Sequence, residues 1–97
     1  MDAAKAKKSK TAKADKAFNA GKYAPAADLY KKAYGKQKSK LVKAEIAYKA
    51  AECYSKMSNS KEALNWYEKS AKDNGKNPDA VLKYAQALKT NGRYDEA

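Results

Sequence analysis

Ninety-seven residues allow one compact domain, and with 43% hydrophobic residues but a single Phe and a single Trp, the apolar material is largely alanine, bulked by eight tyrosines. The absence of histidine and the presence of only one cysteine exclude an intrachain disulfide, Cys/His metal sites, Ser-His-Asp triads and histidine general bases. Of the net charge of +11, +10 resides in residues 1–43, where 13 lysines face three aspartates (13−3=10), whereas residues 44–97 carry nine basic against eight acidic side chains.

The predicted elements are all helices, because four glycines, two prolines and no long β-branched run give an all-β fold little to build strands and turns from. Residues 1–9 form a lysine- and alanine-rich extension. From Lys10 to Ala20, the positions Ala14, Ala17, Phe18 and Gly21 recur at i, i+3, i+4 and i+7, which predicts the buried stripe of a first helix that Gly21 ends. In "GKYAPAADLYKKAYG" (21–35), Tyr23, Ala26, Ala27, Tyr30, Ala33 and Tyr34 share one face. Pro25 suits the first turn there, so the second helix runs from about Ala24 to Gly35. A third helix spans about Lys40 to Met57, with Leu41, Ala44, Ala47, Tyr48, Ala51 and Tyr54 on its apolar side. A fourth is capped by Ser60 and carries Ala63, Leu64, Trp66, Tyr67 and Ala71. The fifth opens on Pro78 and Asp79, both suited to a helix N-terminus, and presents Val81, Leu82, Tyr84, Ala85 and Leu88. "TNGRYDEA" then predicts a turn at Gly92 and the start of a sixth helix.

Superposing "NAGKYAPAADLYKKA", "KMSNSKEALNWYEKS" and "TNGRYDEA" aligns Gly21, Ser58 and Gly92 at the turn, Tyr23, Ser60 and Tyr94 after it, then Ala26, Ala63 and Ala97. Tyr30 matches Tyr67, and Ala33 matches Ser70. The offsets are 58−21=37 and 92−58=34, the period of a two-helix solenoid unit. On "GKYAPAADLYKKA", "AYKAAECYSKMSNSKEALNWYEKSA" and "KYAQALKTNGRYDEA", the chain resembles the tetratricopeptide-repeat family over residues 10–97. The expected fold is an all-α, antiparallel helix-turn-helix solenoid of about two and a half repeats and five to six helices, divided near 10–39, 40–77 and an incomplete 78–97. The chain departs from the family at Ser60, where an aromatic is usual, in the absence of large early apolar residues in the first helix, and in three extra residues in the first connection. A narrower similarity, carried by "ADKAFNAGKYAPAADLYKKAYGKQ", "KAEIAYKAAECY" and "NWYEKSAK", is to the N-terminal repeats of Bacteroidota envelope proteins that also hold a β-propeller and an OmpA-like domain, as in a type IX secretion system component. It implies a periplasmic, outer-membrane-associated location.

The family resemblance implies a non-enzymatic scaffold whose ligand, a peptide or partner protein, lies along the concave surface of the first helix of each pair. Mapped here, that surface presents Phe18, Asn19, Tyr48, Lys49, Glu52, Ser55, Leu82, Lys83, Gln86 and Lys89. Tyr48 and Leu82 serve either as ligand shelves or as packing between repeats. The lysine and asparagine set with which some relatives clamp a C-terminal carboxylate is not restored by Lys49 and Lys83, since Thr11, Asp15 and Asp79 occupy clamp positions. No cofactor or metal is expected, and no apolar run reaches a membrane-spanning length. An incomplete last repeat predicts self-association through the fifth helix. The basic N-terminal segment offers an alternative site for nucleic acid, lipid or acidic protein, although lysines interleaved with alanine rather than with arginine and stacking aromatics disfavour nucleic acid.

Overall fold

A computed structural model describes the backbone of residues 2–96 and the side chains of residues 11–91. Five helices fill it: α1 (Asp2–Asn19), α2 (Tyr23–Lys36), α3 (Lys40–Lys56), α4 (Ser60–Asp73) and α5 (Pro78–Glu96). Each packs on its neighbour in the chain, and among the described residues no other pair of helices packs extensively. The result is a stack 51 × 29 × 19 Å in extent, a right answer for helices that bury their faces only against the next element.

The turns show why the repeat register holds. Gly21, at φ +79°, ends α1 with its N–H donating to the Phe18 carbonyl and the Lys22 N–H donating to the Ala17 carbonyl. Thirty-seven residues later (58−21=37), Ser58 adopts φ +60° at the end of α3, with the same pair of bonds: Ser58 to Ser55 at 3.0 Å and Asn59 to Tyr54 at 2.8 Å. Both are Schellman closures, in which a left-handed residue lets two N–H groups satisfy the carbonyls of the final turn. Helix starts follow sequence chemistry too. Ser39 caps α3 by accepting from the Val42 N–H, and Asn77 accepts from the Asp79 N–H at the head of α5. The cap of α4 is Asn59, which accepts from the Glu62 N–H, and not Ser60, which is the first helical residue.

Alanine sets the spacing between helices. Ala26, Ala27, Ala47, Ala50 and Ala51 are buried to 0–1% exposure, so the α2 and α3 backbones approach closely, while Tyr30, Tyr54, Trp66 and Tyr67 fill the space around them. The predicted stripe of α3 omitted Ile46, Ala50 and Cys53, all buried. A central helix lies between two neighbours and buries two faces, whereas a single-stripe rule finds one. Leu41 belongs to the predicted stripe but is 61% exposed, because the buried part of α3 begins a turn later at Ala44. Ser70 replaces the alanine of the first repeat and, fully buried, donates to the Ala44 carbonyl at 2.8 Å, tying α4 to α3.

The helix α5 corrects two expectations. Among the described residues it packs extensively on α4 alone, so one stripe packs inward: Ala80 is buried, and Tyr84 and Ala87 rest on the core. Val81, Leu82 and Leu88 stay 42%, 55% and 47% exposed. The expected turn at Gly92 does not form, and α5 runs on to Glu96. Thr90 donates to the Gln86 carbonyl and Asn91 to both the Ala87 and Ser60 carbonyls, so polar side chains hold this end of α5 in helical register and against the head of α4. The side chains of Tyr94 and Ala97, used in the superposition, lie outside the described residues, as do those of residues 1–9.

Candidate functional site

The first helices of the pairs, α1, α3 and α5, share one face, and it holds two hollows. The first, about 460 Å³, is lined by Asp15, Phe18 and Asn19 from α1, Tyr30 from α2, and Tyr48, Lys49 and Glu52 from α3. The second, about 290 Å³, is bordered by Ser55, Tyr67, Lys83, Gln86, Thr90 and Asn91 among others. A smaller depression beside them is lined by Glu45, Tyr48, Lys49, Asn77 and Asp79.

The walls of these hollows carry one repeated piece of chemistry, with Asp15, Tyr30 and Glu52 lining the first and Tyr67 the second. The Tyr30 hydroxyl on α2 donates to the Asp15 carboxylate on α1, fifteen residues away, and the Tyr67 hydroxyl on α4 donates to the Glu52 carboxylate on α3, also fifteen residues away. The two pairs are related by the repeat, since 52−15=37 and 67−30=37. Asp15 also accepts from Lys49 Nζ at 3.2 Å and from the Thr11 hydroxyl at 3.2 Å. Desolvation pushes the Asp15 carboxyl up, but the bonds from Tyr30, Lys49 and Thr11 together outweigh it and hold the group below the usual carboxylate range. Burial, reinforced by the facing carboxylates, raises the Tyr30 and Tyr67 phenols well above the ordinary tyrosine value, so both remain hydrogen-bond donors. Tyr48 packs edge-on to the Tyr67 ring at 5.7 Å, and its phenol is raised by burial and by Glu52 and Asp79. Phe18 meets Tyr23 in the same edge-on manner at 5.2 Å.

Eight of the ten sequence-predicted residues border these hollows: Phe18, Asn19, Tyr48, Lys49 and Glu52 the first, and Ser55, Lys83 and Gln86 the second. Leu82 and Lys89 do not. Lys83, Ala87 and Thr90 form the stripe of α5 beside the hollow, and a residue one position away is rotated by about 100°. Tyr48 is both packing and lining, while Leu82 packs against nothing extensive. Asp15, Tyr30, Tyr67, Thr90 and Asn91 were not among the predicted residues, and the signal for the first three was present as a carboxylate and a tyrosine fifteen residues apart in each of two repeats.

Electrostatically the face is unlike the rest of the chain. It presents Asp15, Glu45, Glu52 and Asp79 against Lys49 and Lys83, despite a net charge of +11 overall. Lys49 is already paired with Asp15. Cys53 is fully buried with its thiol pushed up to about 11 by burial, a state in which it is a poor nucleophile. Among the described residues no three His, Cys, Asp or Glu side chains converge as metal ligands, and no helix is long and apolar enough to cross a membrane.

Stacked antiparallel hairpins, equivalent turns and hairpin-closing polar pairs on a common period define a helical-repeat scaffold. A family model for the tetratricopeptide repeat matches residues 19–97, and the chain belongs to that family, whose repeats generally mediate protein–protein interaction and are typically non-enzymatic. No curated protein and no solved structure gives a significant match.

Proposed function

We propose that the face of α1, α3 and α5 is a docking groove for an extended segment of a protein partner, and that the chain works as a non-enzymatic scaffold. The supporting observation is the pair of hollows between successive first helices: the first is lined by two carboxylates, Asp15 and Glu52, each held by a phenol, and the second is edged by polar side chains that include Ser55, Lys83, Gln86 and Asn91. The carboxylates of the first hollow accept hydrogen bonds, so they suit the backbone N–H groups or cationic side chains of a ligand, while Phe18 and Tyr48 supply apolar surface. The carboxylates and the engagement of Lys49 make the groove a poor clamp for a free C-terminus. Recognition therefore runs along the ligand and not at its end.

The test is fluorescence polarisation with a peptide panel, each member in free-acid and amidated form. Equal affinity for the two forms is expected, with Tyr48→Ala weakening binding by about tenfold or more, as truncation of an interface aromatic commonly does. A clear preference for the free acid, or full binding by both Tyr48→Ala and Lys83→Ala, would refute the proposal.

We further infer, from the similarity of "ADKAFNAGKYAPAADLYKKAYGKQ" and its companion segments to envelope-protein repeats, that the scaffold serves a cell-envelope or secretion assembly and resides in the periplasm near the outer membrane. Support for this reading is the sequence similarity. Fractionation of the source cells decides it: recovery with periplasmic markers is expected, and recovery with cytoplasmic markers rejects it.

A further inference from the structure

The hairpin of α1 and α2 encloses another hollow, about 460 Å³, lined by Lys13, Ala14, Leu29, Lys32, Ala33, Lys36 and Gln37. It shares no lining residue with the groove on the face of α1, α3 and α5. Its floor is apolar: Ala14 and Ala33 are 2% and 7% exposed, and Leu29 packs against the core while remaining partly open. Its rim is cationic. Lys13, Lys32 and Lys36 are exposed, none forms an ion pair among the described residues, and no carboxylate lines the hollow. Leu29, Lys32, Ala33 and Lys36 fall at i, i+3, i+4 and i+7 of α2, so aliphatic surface and cations run together along one side of the helix.

We propose that this hollow docks an acidic amphipathic helix of a protein partner, its aliphatic stripe on Leu29, Ala33 and Ala14 and its carboxylates on Lys13, Lys32 and Lys36. Two features choose this occupant over other anions. Nucleic acid binds through stacking aromatics and arginine forks as well as charge, and neither lines this hollow. A bare phosphate or headgroup gains nothing from an aliphatic floor, whereas a helix with apolar residues at i, i+3 and i+4 buries that floor. The same hollow of a second copy presents the same cationic rim, so two copies do not pair through this surface.

The experiment uses the full chain and two synthetic helical peptides of about four turns, with identical leucine stripes but polar faces of glutamate in one and glutamine in the other. Calorimetric titration is expected to show the glutamate peptide binding about tenfold more tightly, with salt dependence. Lys32→Gln with Lys36→Gln should remove that difference. Leu29→Ala should weaken both peptides, and Tyr48→Ala, on the other face, should change neither. Circular dichroism of the lysine variants, altered only at exposed positions, checks that they fold. Equal affinity for the two peptides, undiminished binding in the lysine variant, indifference to Leu29→Ala, or loss on Tyr48→Ala overturns the proposal. So does equally tight, lysine-dependent binding of phosphatidylserine vesicles or single-stranded DNA, which makes the hollow a general anion surface. Because the two faces share no residue, failure here leaves the groove on the α1, α3 and α5 face to its own test.

Discussion

Replacing Ser58 by glycine should make the protein more stable, although Ser58 sits at an ordinary-looking polar turn. Its φ of +60° places an L-residue in the left-handed region, at the position where the first repeat has Gly21 at φ +79°. A Cβ in that region costs roughly 1–2 kcal/mol. Glycine removes that strain but gives the unfolded chain more freedom, which returns roughly 0.5–1 kcal/mol. The net expectation is stabilisation of about 0.5–1 kcal/mol, or about 2–8 °C in Tm for a domain of this size. The reciprocal change, Gly21→Ala, isolates the torsional effect, because a Cβ there meets nothing within 4 Å. It should destabilise by about 0.5–1 kcal/mol net, through strain partly offset by the lower freedom of the unfolded chain, and not through collision. Thermal unfolding followed by far-ultraviolet circular dichroism measures both. A neutral or destabilised Ser58→Gly, or a Gly21→Ala protein as stable as the parent, would show that the two turns are not held by equivalent closures.

The acid side of the stability curve should depend on Asp15. Its folded pKa is lower than its unfolded value of about 3.9, so the folded form binds fewer protons, and its contribution is present above that value and lost as pH falls through the folded pKa; Asp15→Asn should flatten the acid limb seen by urea denaturation. On the alkaline side, burial and the hydrogen bond to Asp73 raise the Tyr34 phenol to about 12. Its contribution is therefore full below the unfolded value of about 10 and lost as pH rises through about 12, and Tyr34→Phe should remove the phenolate signal that ultraviolet titration finds in that range. Finally, Val81, Leu82 and Leu88 expose aliphatic surface on α5, so sedimentation should show mass rising with concentration, abolished by Leu82→Glu with Leu88→Glu; a monomer at all concentrations in the parent chain contradicts this.

Much of the fold was legible because helix signals here are local. The alanine–aromatic stripe of α2, Pro25 in its first turn and the glycine closing α1 each act within a few residues, and the recurrence at 37 residues joined them into hairpins. Equivalence of Gly21 and Ser58 was visible as an alignment, but the shared left-handed turn was not, since serine gives no sign of positive φ. What stayed hidden depends on neighbours. The second buried face of α3 exists because α2 and α4 flank it, and Val81, Leu82 and Leu88 are exposed because, among the described residues, α5 packs extensively on α4 alone. The same holds for the candidate site: Tyr48 and Lys49 were named from the family resemblance, whereas the bonds of Asp15 and Glu52 to tyrosines on the following helices needed the crossing geometry.

Tyr30 with Asp15 and Tyr67 with Glu52 join the two helices of a single hairpin, whereas the contacts of Tyr34 with Trp66 and Asp73 join one hairpin to the next. Latch and coupling thus fall largely in different residues, although Asp15, which also accepts from Lys49 on α3, serves in both. A segment of one period copied into such an array brings its own latch with it, and only the coupling must be fitted to the new neighbour. The 37-residue unit is for that reason a natural quantum of growth: the array can lengthen or be recombined without reinventing how each hairpin stays shut.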